Sequence, residues 1–240
     1  MPSRATDYSV TELMIALLAR EVAGCDHVVV GALSPLPAAA ALLAQASAAG
    51  TRATILGSKR FNCFTDGARE LFDCAAESRI DAFFLSGGQI DGSANINLVG
   101  IGDPAAPKVR FPGSFGSAYL YFLVPRIVLF REEHSRRSLV SKVDFISAPG
   151  VSPPGVYRRG GPKVLVTSLA RFSFAGCFRL ESVHPGHDLA EVEAATGFDF
   201  ERADPLRETP APTSAELALI RGRVREEVAE AYPQFAARMA

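Results

Sequence analysis

The stretch HVVVGALSPLPAAAALLAQASAAGTRATIL, residues 27–56, decides the fold. His27–Val30 is a short, valine-rich apolar run, the signature of a strand buried on both faces. Gly31–Pro37 follows as a loop. Pro37 opens an alanine-rich helix, Ala38–Ala49, which Gly50 stops. Ala53–Leu56 is the next buried strand. Strand, helix and strand in that order predict parallel pairing.

The alternation extends both ways. Upstream, Ser9 and Glu12 form a capping box with Tyr8 and Leu13 as its hydrophobic staple. A helix should run from Val10 to about Ala23, with Gly24 as its stop. Downstream, Asp66–Ser78, Ser117–Val124 and Asp188–Thr196 read as helices. Ala82–Leu85, Lys108–Phe111, Arg126–Phe130 and Val164–Thr167 read as strands. Ser214–Ala231 reads as a closing helix capped by Thr213, with Pro233 beyond. The expectation is an open, mostly parallel, doubly wound α/β sheet flanked by helices. It should span residues 1–202, with the polar, Pro-containing 203–212 as a linker to a helical arm, 213–240.

Composition narrows the function. The 240 residues carry 25 Lys plus Arg and 26 Asp plus Glu, a net charge of −1. That balance lacks the positive field of a nucleic-acid binder. With 48% hydrophobic and 21% charged residues the chain is globular. Cysteines at 25, 63, 74 and 177 form no C-x-x-C pair, which argues against a zinc site or a disulfide scaffold. MPSRATDYSVTE, residues 1–12, has no apolar leader core, and no clean span of about 20 apolar residues follows. A reduced, cytoplasmic protein without membrane or metal sites is expected.

Several short motifs fail on inspection. Leu85-Ser-Gly-Gly-Gln89 matches the signature string of ABC-type ATPases, but the chain has no Gly-Lys phosphate loop. Gly100-Ile-Gly102 lacks the third glycine of a dinucleotide fingerprint, and Pro104 would disturb the helix start. Gly113-Ser-Phe-Gly-Ser117 is not a nucleophile elbow, since Ser114 stands one place early. His184-Pro-Gly-His187 reads as a turn rather than a metal site.

Other features point to a site. Ligands of open α/β sheets bind outside the carboxyl ends of the strands. Gly31, Gly57, Gly87-Gly88 and Gly113–Gly116 each follow an expected strand, so these loops should gather on one rim. The Gly113–Gly116 loop is either a tight turn or a set of N–H donors for an oxyanion or thioester carbonyl. Arg126 sits in the otherwise apolar run Ala118–Phe130. A guanidinium there forms a structural ion pair, extends its head to water, or recognises an anionic substrate group. Ser58-Lys59-Arg60 is either a solvated turn or a place for phosphates.

The stretch Asp81–Asp91 with Gly92-Ser-Ala-Asn-Ile-Asn97 resembles the β subunits of class I coenzyme A transferases, the glutaconate type above all. Lys108–Gly116 is similar to that family's Gly-Ser-Gly-Gly loop, with Phe115 where the family has glycine. Lys142–Gly150, Val183-His-Pro-Gly186 and Thr196-Gly-Phe198 match later landmarks, so the resemblance spans roughly Ser9 to Phe200. The family carries a catalytic Glu after the strand that here is Ala53–Leu56. The window Ala53–Phe64, ATILGSKRFNCF, has no carboxylate. Transfer of CoA between acids runs through an anhydride and a thioester on a carboxylate, which Ser58 and Lys59 cannot replace.

A transferase-like β subunit without that Glu resembles the small subunit of the steroid ring-opening hydrolases of bacterial cholesterol catabolism. This implies hydrolytic C–C cleavage of a cyclohexenone-carboxyl-CoA thioester in a heteromer, expected as α2β2, with the general acid/base Glu on the α subunit. No separate cofactor is implied, because coenzyme A enters with the substrate. Arg126 is the expected catalytic residue. Gly113, Ser114, Phe115, Gly116, Ser58, Lys59, Arg60, Gly87, Gly88 and Gln89 are the expected substrate contacts.

Overall fold

The computed structural model describes residues 7–48, 50–103 and 105–239. Residues 1–6, the expected helix end at Ala49, and Pro104 lie outside them. The chain divides into two compact units, residues 1–84 with 210–240, and residues 85–209.

The first unit holds the βαβ core. Its elements are α1 (Val10–Glu21), β1 (His27–Val30), α2 (Pro35–Ser47), β2 (Arg52–Ile55), α3 (Gly67–Ala76) and β3 (Ala82–Leu85), which ends at the boundary. β1 pairs in parallel with both β2 and β3, and all four of its residues are buried. The capping box at α1 is present, with Ser9 Oγ accepting from the Glu12 amide at 3.2 Å. α2 starts three residues early, because Pro35 takes the first helical turn, where a missing N–H costs nothing. Its buried alanines, Ala38–Ala41, let helix and sheet approach closely.

The C-terminal arm belongs to this unit. It comprises α6 (Ser214–Leu219), a π-helical turn at Ile220–Val224, α7 (Arg225–Val228) and α8 (Pro233–Ala236). The single helix expected over 214–231 is interrupted at Gly222, whose φ −100° and ψ −105° are not helical. Glycine is the residue that tolerates such a break. Two crossed ion pairs dock the arm on α1. Arg20 grips Glu216 at 2.8 and 2.6 Å, and Arg221 grips Glu12 at 2.6 and 3.3 Å. Each of these glutamates is also the third residue of a capping box, Glu12 with Ser9 and Glu216 with Thr213. Burial pushes both carboxyls up, but the arginine and the cap donors outweigh it and hold them below the usual range. Thr213→Ala should therefore cost about 1 kcal/mol in urea unfolding. Glu216→Ala should cost more, because it removes the cap and the Arg20 pair together.

The second unit holds β4 (Gln89–Ile90), β5 (Ile96–Asn97), β6 (Gly100–Ile101), β7 (Val109–Arg110), α4 (Ser117–Leu123), β8 (Arg126–Arg131), β9 (Pro162–Thr167), β10 (Ala170–Phe174), β11 (Phe178–Val183), α5 (Leu189–Ala195) and β12 (Glu201–Glu208). β8–β9 and β11–β12 pair in parallel, while β9–β10 and β10–β11 are antiparallel. Within the two units the architecture is the mostly parallel α/β sheet that the sequence predicts. Residues 203–208, expected as linker, are strand instead. β12 is charged and exposed along most of its length, as an edge strand can be, so it carries no hydrophobic signal. The strand expected at Lys108–Phe111 shrinks to β7, which makes only a two-residue ribbon with β6.

Candidate functional site

In the first unit, the loops after β1 and β2 lie at the carboxyl ends of parallel strands. Ser58 is buried, and its hydroxyl accepts from the Arg60 and Phe61 amides at 3.0 and 2.9 Å, which fixes the turn. The loop's own carboxylate is absent, as the sequence shows, but one arrives from the arm. Glu230 accepts from Ser58 Oγ at 2.5 Å and from the Lys59 amide at 2.9 Å. Glu227 stands 3.6 Å from the Arg60 guanidinium, which also lies over the Phe61 ring. Of the two loop cations, Arg60 is thus already paired. Nothing near residue 58 in sequence announces Glu230, since 172 residues separate them.

In the second unit, Gly87-Gly88 forms a close turn. A Cβ on Gly87 would stand 2.7 Å from the Gln89 carbonyl oxygen, and one on Gly88 2.2 Å from the Phe111 ring, which would have to move aside. The Gly88 amide donates to the Asn97 carbonyl at 2.8 Å. Gln89, an expected substrate contact, is buried and occupied. Its Oε1 accepts from Asn97 Nδ2 at 2.7 Å and the Asp144 amide at 3.0 Å, and its Nε2 donates to Asp144 at 3.3 Å. Its role in this structure is to brace the turn.

The Gly113–Gly116 loop follows the small β6–β7 ribbon rather than a strand of the main sheet. Gly113 at φ 108° and Gly116 at φ 67° take left-handed conformations, and Phe115 at φ 32° is strained for a side chain with a Cβ. The Gly113 amide is engaged by the Leu98 carbonyl, and the Ser117 amide by that of Ser114. The Phe115 ring is 69% exposed.

Arg126 does not stand as expected. It opens β8 at the amino end and is exposed in the single chain, so the argument from a buried cation fails. The apolar residues around it point into the core while its own side chain points out. The arginine at the carboxyl end of β8 is Arg131, half-buried. Its NH1 donates to the Gly87 carbonyl and its NH2 to Glu133, each at 3.2 Å, and its Nε is buried without a protein partner. Burial at a strand's carboxyl end distinguishes the two arginines, and the sequence does not display it.

His184-Pro-Gly-His187 is a turn, as expected. His184 is buried between Thr209 Oγ1 and the Thr167 carbonyl, at 2.8 and 2.9 Å, and His187 pairs with Glu191 at 2.7 Å. His134, which the sequence does not single out, is buried between Thr167 and Thr196 hydroxyls at 2.7 and 2.9 Å. Among the described residues no group of three His, Cys, Asp or Glu could hold a metal, and no helix is long and apolar enough to cross a membrane.

Glycine turns and an arginine stand at carboxyl ends of strands in this α/β chain, the place where ligands of doubly wound sheets bind. The chain belongs to the coenzyme A transferase family, whose profile it matches over residues 12–185. It is 34% identical over 152 residues to a 3-oxoadipate CoA-transferase subunit of Pseudomonas knackmussii, covering 60% of this chain and 58% of that protein. It is 29% identical over 189 residues to the cholesterol ring-cleaving hydrolase IpdB subunit of Rhodococcus jostii, covering 76% of this chain and 71% of that protein. Among solved structures, the decarboxylase AibA/AibB superposes with TM-score 0.78 at 26% identity, over 90% of this chain and 94% of that chain. Glutaconate coenzyme A-transferase from Acidaminococcus fermentans has TM-score 0.78 at 24% identity, over 90% and 95%, a likeness of fold alone.

Proposed function

We propose that the chain is the β-type subunit of a heteromeric hydrolase that opens a carbocyclic ring in a CoA thioester, the last ring of a degraded steroid. The observation that carries this reading is the carboxylate-free window Ala53–Phe64 in a transferase fold. Similarity to the IpdB subunits supports it. In the reaction, a base removes a proton from water and the hydroxide adds to the ring ketone. The bond from that carbon to the thioester α-carbon then breaks. Its electrons enter the thioester enolate, which is reprotonated, leaving a carboxylate and an open chain. The resemblance to the ring-opening hydrolases assigns that base to the α subunit, and the one carboxylate that reaches the Gly57 loop, Glu230, is held there by Ser58 and the Lys59 amide. In this reading the amides of Ser114 and Gly116 are the donors for the alkoxide or enolate oxygen.

A partner is supported by apolar surface in the second unit. Val151, Val156 and Tyr157 are 44, 49 and 80% exposed. Arg158 holds their loop rigid by donating to the Pro149, Gly160 and Tyr121 carbonyls at 2.7, 2.9 and 2.9 Å. Exposed apolar side chains grouped on one loop are what a protein partner would cover. A cytoplasmic α2β2 assembly is part of the proposal.

The guanidinium role passes to Arg131. Arg131→Lys in the assembled enzyme should lower kcat and kcat/KM together by about 10²–10³, the loss of an oxyanion donor. Arg126→Lys should stay within a few-fold of wild type. Steady-state kinetics beside melting temperatures check both. Equal losses in the two variants would remove Arg131 from the site.

The similarity to a transferase subunit favours a second reading, true CoA transfer. Glu230 is the carboxylate on the β2 loop that such chemistry would need. Co-expression with an α-type subunit, followed by ring-opening and CoA-exchange assays, separates the readings. Ring-opened product without exchange supports the hydrolase. Sustained exchange, with a borohydride-trapped adduct on this chain, establishes the transferase.

A further inference from the structure

The arm and the β2 loop, both in the first unit, meet through opposite charges. The loop offers the Ser58 hydroxyl, the Lys59 amide, and the Lys59 and Arg60 cations. The arm answers with two carboxylates three residues apart. Glu230 takes the hydroxyl and the amide, and Glu227 faces Arg60 while accepting from Arg223 Nε at 3.0 Å. Glu227 is 8% exposed, and its Oε2 is buried with no protein partner. Tyr232 completes the cover. Its hydroxyl lies 3.4 Å from the Ser34 amide and 3.2 Å from where a Cβ on Gly57 would stand. Glu227, Glu230 and Tyr232 together sit on the loops after β1 and β2, the end of a parallel sheet where ligands bind.

We propose that the Gly57–Phe61 loop is an oxyanion-binding site and that Glu230 is its built-in occupant, displaced when an anionic group of the ligand enters. The proposal rests on the CoA-thioester reading for the identity of that ligand, which carries both phosphates and carboxylates. Ser58 and the Lys59 amide, with Lys59 beside them, keep the Glu230 carboxyl below the usual range, so it competes as an anion at neutral pH. Displacement asks only that the exposed Glu230 side chain swing away, because Val224, Val228 and Phe235 of the same segment are buried. The first part of the arm is anchored to α1 by the Arg20–Glu216 and Arg221–Glu12 pairs. The helix is broken at Gly222, and the three covering residues lie beyond the break.

Isothermal titration of the full chain tests this, with coenzyme A, inorganic pyrophosphate and glutarate as probes at fixed ionic strength. If the occupied form holds about nine-tenths of the molecules, removing the competitor raises apparent affinity about tenfold. Glu230→Gln should show that gain, and a Lys59→Gln, Arg60→Gln double variant should lose most of the binding. Pyrophosphate responding alone assigns the site to phosphate, and glutarate responding alone assigns it to carboxylate. Equal affinities in wild type and Glu230→Gln overturn the proposal, as does undiminished binding by the double variant or no binding by any form. Glu230 is exposed, so its variant should fold, and a melting curve verifies that. Pyrophosphate and glutarate need no CoA chemistry. Their failure beside an active α/β complex sinks the occupant and leaves the hydrolase reading standing.

Discussion

Gly150→Ala should destabilise the protein by about 3 kcal/mol, the upper end of overpacking costs. A Cβ at Gly150 would stand 2.0 Å from the Ser93 carbonyl oxygen and 2.7 Å from the Ala94 backbone. Those atoms are main chain and cannot rotate aside. Gly150 also donates its amide to Asn95 Oδ1 at 3.0 Å, in the segment that carries the Gln89–Asn97 brace. The damage should therefore reach the Gly87-Gly88 turn and appear as lost activity in whatever remains folded. Gly176→Ala is the control. Gly176 has φ 96° and nothing within 4 Å of an added Cβ, so only the dihedral strain of about 1–2 kcal/mol is expected. Urea unfolding of both variants separates exclusion of volume from backbone strain. Similar losses would contradict the close approach at Gly150.

Acid should destabilise the protein over a pH range set by buried imidazoles, His134 and His184 above all, with His27 shifted down by burial in the same direction. Burial pushes the folded-state values of His134 and His184 down from 6.5 to about 4, and for His134 the nearby His184 adds to the effect. Above pH 6.5 both are neutral in either state, and their contribution is fully present. Between 6.5 and about 4 the unfolded chain takes up protons that the folded chain refuses, so stability falls as pH falls. A shift of this size corresponds to about 3 kcal/mol per imidazole, so the pair contributes a loss on the order of 6 kcal/mol by pH 4 and somewhat less at pH 4.5. Unfolding free energies at pH 7 and pH 4.5 should differ accordingly. A His134→Gln, His184→Gln variant keeps hydrogen-bonding groups without the titration, and its profile should be flatter over the same interval. A wild-type profile flat from pH 7 to 4.5 would show that the imidazoles do not titrate as their burial requires.

What was legible in the sequence depended on local physics. The capping box at Ser9, the valine run of β1, the proline-opened α2 and the Asp188 cap of α5 each arise within a few residues. Their periodicity or capping chemistry needs no distant partner, and the parallel α/β class followed from their order. The missing carboxylate was equally plain, because absence within a window is a property of the string. β12 was not legible, since an exposed, charged edge strand is defined by its pairing with β11 and by nothing in its own composition. The break in the closing helix was signalled only by Gly222, which a helical pattern ordinarily absorbs.

The site divides the same way. Composition and order placed glycine turns after strands and a cation in an apolar run. Tertiary structure alone decided which cation was buried. β8 turns Arg126 outward at its amino end and holds Arg131 against the Gly87 carbonyl at the other. It likewise filled Gln89 with partners from Asn97 and Asp144, and carried Glu230 across the chain to Ser58. The sequence determines which chemical groups are available and the local elements that carry them. Only chain folding over long separations decides which groups meet, because burial and charge pairing are set by neighbours in space.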